Sequence, residues 1–270
     1  MNITFIGGGN MASALISGLL QQGHPVGQIC VVEINADSGE KIKNQFGVSV
    51  VTDLLRGITC CDVIVLAVKP QQLHELTQVL RLLLNNQLVI SIAAGIRATD
   101  IMRWLGGYDR VVRAMPNTPS LVRAGVTGLY AAPDTSSQDK RNAELILSAV
   151  GSILWVDEEE MLHSVTAMSG SGPAYVFYFI ESMQQAGVEL GLTPEQARQL
   201  TLQTFLGAVK LANQSNEDAA VLRARVTSKG GTTEQAIQSM ERNTVKSKIV
   251  AAIHAANTRS QELSEEFGRL

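Results

Sequence analysis

The amino-acid sequence predicts an α/β domain with a parallel sheet, followed by an all-α domain, and two patterns lead to this prediction. In the first half, short β-branched runs alternate with stretches whose apolar residues recur at helical spacing, which indicates βαβ units with right-handed crossovers. Beyond about residue 160 the β-type runs stop and only helical patterns continue. The 270 residues are enough for two ordinary domains, and we expect these at residues 1–158 and 159–270.

Each predicted strand of the first half is a short apolar run. The run at 62–68 is continuous and β-branched, as is typical of a strand buried on both faces of a parallel sheet. The predicted strands are residues 3–6, 28–33, 48–51, 62–68, 88–93, 111–115, 125–132 and 153–156. The helices predicted between them begin near Asn10, after Glu33, near Leu73, at Thr99 and near residue 137.

The first strand runs directly into three consecutive glycines, residues 7–9, and then into a helix for which Asn10 is the expected N-cap. Gly7, Gly9 and Ala12 fill the three small-residue positions of a Gly-x-Gly-x-x-Gly/Ala motif. The first permits a tight turn, the second lets the backbone approach a pyrophosphate, and the third lets helix and strand pack closely. A glycine-rich turn without a ligand is the alternative, but the flanking strand and helix favour a dinucleotide-binding, Rossmann-like domain.

The second half begins with a helix, predicted over residues 173–187, that has no polar face. Its segment 175–180 is apolar on every side, so it must be buried in a large core or by another chain. A domain of about 110 residues has little room to bury it alone, and we therefore expect a homodimer. Thr193 and Gln196 form a predicted capping box at the next helix. Further helices are expected from about residue 218, from 232 to 242 and from 244 to 267.

Two other glycine clusters flank helices of this second half. The cluster at 169–175 precedes the apolar helix, and close packing is favoured there over catalysis. The cluster at 228–233, Ser-Lys-Gly-Gly-Thr-Thr, stands at a helix start, where backbone N–H groups are free for an anion. With a dinucleotide assigned to the first glycine loop, this second anion site suits a carboxylate on the substrate. Thr232 and Gln235 have capping-box spacing, so a simple helix cap is the alternative.

Composition and charge exclude several classes of function. The net charge of −3 and the lack of a basic run give no basis for binding nucleic acid or an anionic membrane. No apolar run reaches about 18 residues, so no membrane span is predicted. The three cysteines lack disulfide or zinc spacing, and the chain enters its first strand without a signal peptide. We therefore expect a cytoplasmic protein.

The candidate acid–base side chains are scattered, and no spacing predicts a metal site. A solvated or capping role is expected for His74 and His163, and Glu158–Glu160 is expected to be a solvated helix start. A reaction that needs little acid–base help from the protein is therefore favoured. Hydride addition to a protonated imine fits, because the substrate already carries the positive charge and a nicotinamide cofactor supplies the chemistry.

Six motifs together give the sequence a resemblance to the pyrroline-5-carboxylate reductases. They are GGGNMA (7–12), AVKP (67–70), SIAAG (91–95), RAMPNTP (113–119), SGSGPAY (169–175) and GGTT (230–233), and they cover the chain in order. The resemblance implies a Rossmann domain, a helical dimerisation domain, and homodimers that can assemble further. It also implies reduction of the small imino acid 1-pyrroline-5-carboxylate to L-proline with NADPH, with NADH also accepted.

The resemblance also assigns roles to residues of these motifs. Cofactor contacts are implied for Gly7, Gly8, Gly9, Asn10, Met11, Asn35, Ala67, Val68, Lys69 and Pro70, with Ala93 and Ala94 lining the nicotinamide half. Substrate contacts are implied for Ser228, Gly230, Gly231, Thr232 and Thr233. Among them, Thr233 is assigned the bond to the ring nitrogen and is the implied catalytic residue. We expect the two anion-binding loops to serve one cleft that a neighbouring subunit completes.

Three positions bear on details that the resemblance leaves open. Lys229 stands where the family usually has proline, and our hypothesis is that it strengthens binding of the substrate carboxylate. Glu33 stands 21 residues after Ala12, where an acidic side chain usually bonds the ribose 2′-hydroxyl of NAD. Asn35 fills the position at which the family contacts the 2′-phosphate of NADP. Glu33 and Asn35 thus point to opposite cofactors, and the family favours NADPH.

Two other functions are consistent with a Rossmann-like domain. A 3-hydroxyacid dehydrogenase also joins such a domain to helices, but it carries a catalytic lysine a few residues into the helix after its glycine cluster. Residues 172–180 contain no lysine. A dinucleotide-binding protein without catalysis is the other alternative, and the second anion site at 228–233 argues against it.

Overall fold

A single sheet of eight strands organises the first part of the chain in the computed structural model, which describes residues 1–270. The strands are Ile3–Ile6 (β1), Ile29–Val32 (β2), Ser49–Val51 (β3), Val63–Leu66 (β4), Leu88–Ser91 (β5), Val111–Met115 (β6), Gly125–Ala131 (β7) and Gly151–Trp155 (β8). Their order across the sheet is β3-β2-β1-β4-β5-β6-β7-β8. The first six have the order of a doubly wound dinucleotide-binding sheet, which confirms the predicted α/β class.

Helices separate most of the strands in the first part of the chain, and the second part contains helices and no strand. Those of the first part are Asn10–Gln21 (α1), Ala36–Phe46 (α2), Leu54–Ile58 (α3), Pro70–Leu80 (α4), Ala98–Trp104 (α5), Ser137–Leu147 (α6) and Met161–Val165 (α7). A π-helical turn, Thr166–Gly170, follows α7. The remaining helices are Gly172–Glu189 (α8), Pro194–Gln214 (α9), Ala219–Arg225 (α10), Thr232–Arg242 (α11) and Val245–Gly268 (α12).

The central strands β1, β4 and β5 are buried along their whole length. Alternate side chains of a strand point to opposite faces of the sheet. Val63 and Val65 therefore join one core with α1, while Ile64 and Leu66 join another core with α4 and α5. Burial on both faces explains why β4 is apolar at every position instead of alternating with polar residues.

Strand β7 departs from the parallel crossovers that the sequence predicts, since it runs antiparallel to β6. Only residues 116–124 connect the two strands, and they contain the 3-10 turn Thr118–Val122 in place of a helix of crossover length. A parallel crossover needs about a dozen residues or more, so the chain reverses direction here. Helix α6 then leads to β8, which pairs parallel with β7.

Two predicted helix starts have different outcomes. Thr193 forms the predicted capping box with Gln196, and α9 begins at the next residue. The N-cap of α1 is Gly9 and not Asn10, because Gly9 is the last residue with extended backbone and Asn10 is already helical. No side chain caps α1, and its first N–H groups therefore have no partner within the helix.

The chain divides into two compact units, and neither boundary coincides with residue 158. One unit contains Met1–Ser171 together with Ala256–Leu270, and the other contains Gly172–Ala255. Helix α7 packs on β7, and near the end of α12 Phe267 lies beside Gly95, so both segments belong to the sheet unit. The predicted domains at 1–158 and 159–270 stay a prediction.

Helix α8 carries large apolar side chains that the chain itself leaves exposed. Phe177 is 64% exposed and Tyr178 is 69% exposed. Exposed apolar surface of this kind marks an interaction surface, which is the consequence expected for a helix without a polar face.

No helix of the structure is both long enough and apolar enough to cross a membrane.

Candidate functional site

The loop after β1 has the geometry that close approach of a ligand requires. Gly7 has a φ of +97°, a conformation that residues with a Cβ rarely adopt. A Cβ there would also lie 2.9 Å from the carbonyl oxygen of Ala67. A Cβ on Gly8 would overlap Cδ1 of Ile42. A Cβ on Gly9 would meet no protein atom within 4 Å. The fold therefore requires Gly7 and Gly8, whereas Gly9 leaves open space at the surface of the loop.

The start of α1 offers hydrogen-bond donors beside this open space. Asn10 and Met11 are the first two residues of the helix, and no side chain caps it. Their N–H groups lie at the positive end of the helix dipole, where an anion is stabilised. The loop and the helix start together fit a phosphate group.

Glu33 follows β2, and both of its carboxylate oxygens accept hydrogen bonds from backbone N–H groups. Oε2 accepts a hydrogen bond from Gly8 at 2.9 Å, and Oε1 accepts one from Asn35 at 2.8 Å. Asn35 is in turn the N-cap of α2, with Oδ1 accepting from the N–H of Ser38. Glu33 thus connects the glycine loop to the start of α2.

The glycine loop and the loop after β4 line one cavity of about 440 Å³. The predicted cofactor residues 7–9 and 67–69 lie together on its wall. The cavity stands where the strand order reverses between β1 and β4, which is the usual ligand position in an open α/β sheet. Helix α4 begins beside it at Pro70, with Lys69 as an N-cap that makes no side-chain bond.

Several residues of this wall were not singled out from the sequence. They are Ile34, Thr52, Leu54, Gln72, Glu75 and Leu76. The position of Gln72 in the first turn after Pro70 is a signal that could have identified it. Thr52 and Leu54 come from the end of β3 and the start of α3, and no local pattern marks them. A second cavity, of about 570 Å³, shares Glu33 and Thr52 but includes none of the glycine loop.

The predicted nicotinamide wall, Ala93 and Ala94, lies in the loop between β5 and α5 and outside that cavity. Ala93 is buried and Ala94 is half-buried, so Ala94 has the more accessible surface of the two. Ser91 Oγ accepts a hydrogen bond from the N–H of Ala93 at 3.3 Å. Gly95 has a φ of +77°, and a Cβ there would lie 3.2 Å from Cβ of Leu263. This loop is therefore closely packed on its inner side.

Glu159 is not the solvated residue that the sequence predicts, although its neighbours Glu158 and Glu160 are exposed. Its side chain is 11% exposed, and Oε1 accepts a hydrogen bond from Nη1 of Arg113 at 2.8 Å. The same oxygen accepts from the N–H of Ala98 at 2.6 Å. Arg113 is only 2% exposed, and a buried charge needs a partner of opposite sign.

His163 is also buried, where the sequence predicts a solvated or capping role. Its Nδ1 lies 2.9 Å from Oγ of Ser260, and Nε2 lies 3.3 Å from the carboxylate of Glu160. Burial lowers the pKa of His163 below its usual value of 6.5, and the charge of Arg113 lowers it further. The ring therefore favours its neutral form and has a packing role.

Residues 228–233 lie in the second compact unit, before and at the start of α11. Gly230 has a φ of +75°, and the N–H of Gly231 donates to the carbonyl oxygen of Ser228 at 3.0 Å. The N–H of Gly230 donates to Oε2 of Glu234 at 2.6 Å. Two of the backbone N–H groups expected to be free are therefore engaged inside the loop.

The N-cap of α11 is Gly231, and no side chain caps the helix. The capping box predicted from Thr232 and Gln235 is wrong, because Thr232 is already the first helical residue. The N–H groups of Thr232 and Thr233 lie in the first turn, where a helix supplies no partners of its own. They can donate hydrogen bonds to an anion, and their role in substrate binding stays a prediction.

Comparison with known proteins finds relatives over the whole length of the chain. Residues 159–263 match a family model described as pyrroline-5-carboxylate reductase dimerisation. Residues 2–95 match a family model described as NADP oxidoreductase, coenzyme F420-dependent. The pyrroline-5-carboxylate reductase of Pseudomonas aeruginosa is 46% identical over 268 residues, which cover 99% of this chain and 98% of the relative.

Two solved structures are similar to this chain over nearly its whole length. A pyrroline-5-carboxylate reductase from Coxiella burnetii is 45% identical with a TM-score of 0.92, and the match covers 97% of this chain and 98% of the other. The pyrroline carboxylate reductase of Plasmodium falciparum, solved with NADP bound, is 29% identical with a TM-score of 0.87, and the match covers 98% of both chains.

Proposed function

The chain belongs to the pyrroline-5-carboxylate reductase family, and on this premise we propose that it reduces 1-pyrroline-5-carboxylate to L-proline, the last step of proline biosynthesis. The observation that carries the proposal is the 46% identity to the Pseudomonas aeruginosa enzyme, which extends over 99% of the chain. The cofactor is NADPH, in keeping with the NADP bound to the Plasmodium falciparum relative, and NADH is also accepted.

The residues of the first unit fit a nicotinamide dinucleotide. The uncapped start of α1 and the open space at Gly9 provide N–H donors and room for the pyrophosphate. The adjoining cavity of about 440 Å³ has room for the adenosine half. Lys69, exposed beside the cavity, adds a positive charge near the phosphates.

The residues of the second unit supply donors for the carboxylate of the substrate. The N–H groups of Thr232 and Thr233 stand at the positive end of α11. The hydroxyl of Ser228 and the ammonium group of Lys229, both on exposed residues, lie on the loop just before it. A carboxylate held by these groups fixes one end of the substrate ring and so limits the orientation of its C=N bond.

The substrate lends itself to a site with few titratable groups. Its ring nitrogen is positively charged when protonated, which makes the imine carbon electron-poor. A bound reduced nicotinamide dinucleotide supplies the hydride that forms the new C–H bond at this carbon. The π electrons of the C=N bond move to the nitrogen, which becomes neutral, and the amine then takes up a proton from water. Thr233, half-buried in the first turn of α11, has the role of hydrogen-bonding this nitrogen and orienting the ring.

The chain forms a homodimer through the region that matches the dimerisation model. The exposed Phe177 and Tyr178 of α8 supply apolar surface for this contact. The proposal extends to a higher oligomer of dimers, which sedimentation equilibrium tests: a mass of two chains at all concentrations would refute it. It also extends to a cytoplasmic location, supported by three unpaired cysteines and tested by cell fractionation.

The activity is tested by following NADPH oxidation optically with 1-pyrroline-5-carboxylate and, in parallel, with the 2-carboxylate isomer. We expect efficient oxidation with the 5-carboxylate and L-proline as the product. Efficient turnover of the 2-carboxylate alone would refute the substrate assignment. Binding of NADPH without turnover of either imine would identify a dinucleotide-binding protein that is not a reductase.

A further inference from the structure

The stretch of chain between β5 and α5, residues 92–97, is held by hydrogen bonds at both ends. At the near end, Oγ of Ser91 accepts from the N–H of Ala93 at 3.3 Å. At the far end, the N–H of Ala98 donates to Oε1 of Glu159 at 2.6 Å. The N-cap residue of α5, Arg97, makes no side-chain capping bond, so Glu159 satisfies this helix start from 61 residues away in the sequence.

Arg113 holds Glu159 in place. It lies on β6 directly opposite Ser91 of β5, so the ion pair stands beside the strand end from which residues 92–97 depart. The side chains of Arg113 and Glu159 are 2% and 11% exposed, and a buried pair of this kind depends on both partners keeping their positions. Oε1 of Glu159 accepts both the Arg113 and the Ala98 hydrogen bonds, so the helix start moves if the ion pair moves.

The middle of the same stretch is packed from within. A Cβ on Gly95 would lie 3.2 Å from Cβ of Leu263 and 3.4 Å from Cε2 of Phe267. Ile96 is fully buried. Between a packed middle and two bonded ends, the backbone at Ala94 has little freedom to shift.

We propose that Glu159 is a positioning residue for the cofactor: through the Ala98 N–H it sets the position of residues 92–97, and thereby the surface that Ala94 presents to the nicotinamide ring. This inference rests on the proposed function, because that function takes Ala93 and Ala94 as the nicotinamide wall. Glu159 itself contacts no reacting atom and acts through the backbone.

The proposal predicts a selective effect on the two halves of the cofactor. The adenosine half is assigned to the cavity lined by residues 7–9 and 67–69, which residues 92–97 do not line. Loss of the carboxylate at position 159 should therefore weaken NADPH and leave a ligand that has only the adenosine half, 2′,5′-ADP, unaffected. A general loss of structure would weaken both ligands together.

The test measures dissociation constants of NADPH and 2′,5′-ADP in the absence of substrate, with the melting temperature of each variant. We expect Glu159→Ala to weaken NADPH about tenfold and 2′,5′-ADP less than twofold. Glu159→Gln keeps an oxygen acceptor for Ala98 and should recover most of the NADPH affinity. Because Glu159→Ala leaves Arg113 unpaired, the double variant Arg113→Met with Glu159→Ala removes both charges and gives a second form that lacks the acceptor.

The matched control is Asp139→Ala, which breaks another ion pair of the sheet unit, with a 1% exposed carboxylate bonded to Arg110. It should lower the melting temperature without changing the affinity for either ligand. Wild-type NADPH affinity in Glu159→Ala or in the double variant would overturn the proposal, as would equal loss of both ligands. Since no substrate is present, these outcomes are separate from any failure of the wild-type chain to reduce 1-pyrroline-5-carboxylate.

Discussion

The carboxylate of Glu33 accepts a hydrogen bond of 2.9 Å from the backbone N–H of Gly8, and this bond connects the residue after β2 to the glycine loop. The second oxygen of the carboxylate accepts from the N–H of Asn35. An acidic residue at this position commonly selects NAD through the ribose hydroxyl. In this chain it also has a structural role, and the two roles can be separated by substitution.

Glu33→Gln retains one acceptor oxygen, so one of the two N–H groups loses its partner. We expect the free energy of unfolding to fall by about 1 kcal/mol. Removal of the negative charge should also raise kcat/KM for NADPH relative to NADH several-fold, because repulsion of the 2′-phosphate is removed. Steady-state kinetics with both cofactors measure this ratio. The exposed carboxylate of Glu40, on α2, gives the control Glu40→Gln, and an equal ratio in the two variants would contradict the electrostatic explanation.

Gly9→Ala tests the affinity for the cofactor without a large change in the stability of the fold. The added methyl group meets no protein atom within 4 Å, so the melting temperature should change little, while the methyl group occupies space next to the pyrophosphate. We expect the KM for NADPH to rise about tenfold, equivalent to ~1.4 kcal/mol. Gly27→Ala also adds a methyl group in open space and should leave the KM unchanged. An unaltered KM in Gly9→Ala would show that the pyrophosphate binds elsewhere.

Lys229 and Glu234 should have opposite effects on the affinity for substrate. Lys229→Met removes a positive charge beside the proposed carboxylate site, and the KM for 1-pyrroline-5-carboxylate should rise a few-fold at low salt, as expected for an exposed charge pair of ~1 kcal/mol or less. Glu234→Gln removes a negative charge but keeps an oxygen that can accept from the N–H of Gly230, so the same KM should fall. A Lys229→Met variant with wild-type KM at low salt would eliminate the role proposed for this lysine.

The stability of the protein should depend on pH through His163. Its pKa is lowered in the folded chain by burial, so between about pH 7.5 and 5.5 the unfolded chain binds more protons and stability decreases as the pH falls. His163→Gln removes this contribution, and its melting temperature should fall less than that of the wild type over the same range. The exposed His254 gives the control His254→Gln. Parallel curves for the wild type and His163→Gln would contradict the assignment.

The elements that local patterns specify were predicted well. The glycine loop after β1, the continuous β-branched run of β4, and the capping box at Thr193 each depend on residues close together in the sequence, and the structure has all three. The short helix α3 was not predicted, because five residues are too few to display a helical repeat.

The interpretations that were wrong depend on contacts between distant parts of the sequence. The local sequence predicts that Glu159 is solvated, because its partner Arg113 lies 46 positions earlier in the chain. His163 likewise meets Ser260, which is 97 positions later. The antiparallel β7 follows from the length of a connection and not from any residue pattern.

The central claim is that hydride from the nicotinamide goes to the imine carbon of 1-pyrroline-5-carboxylate. The most direct measurement uses NADPH that carries deuterium at the transferred position and locates the label in the product by NMR. We expect L-proline with one deuterium on the δ carbon, which is bonded to the ring nitrogen and does not carry the carboxylate. Proline without deuterium, or with deuterium on the α carbon, would contradict it.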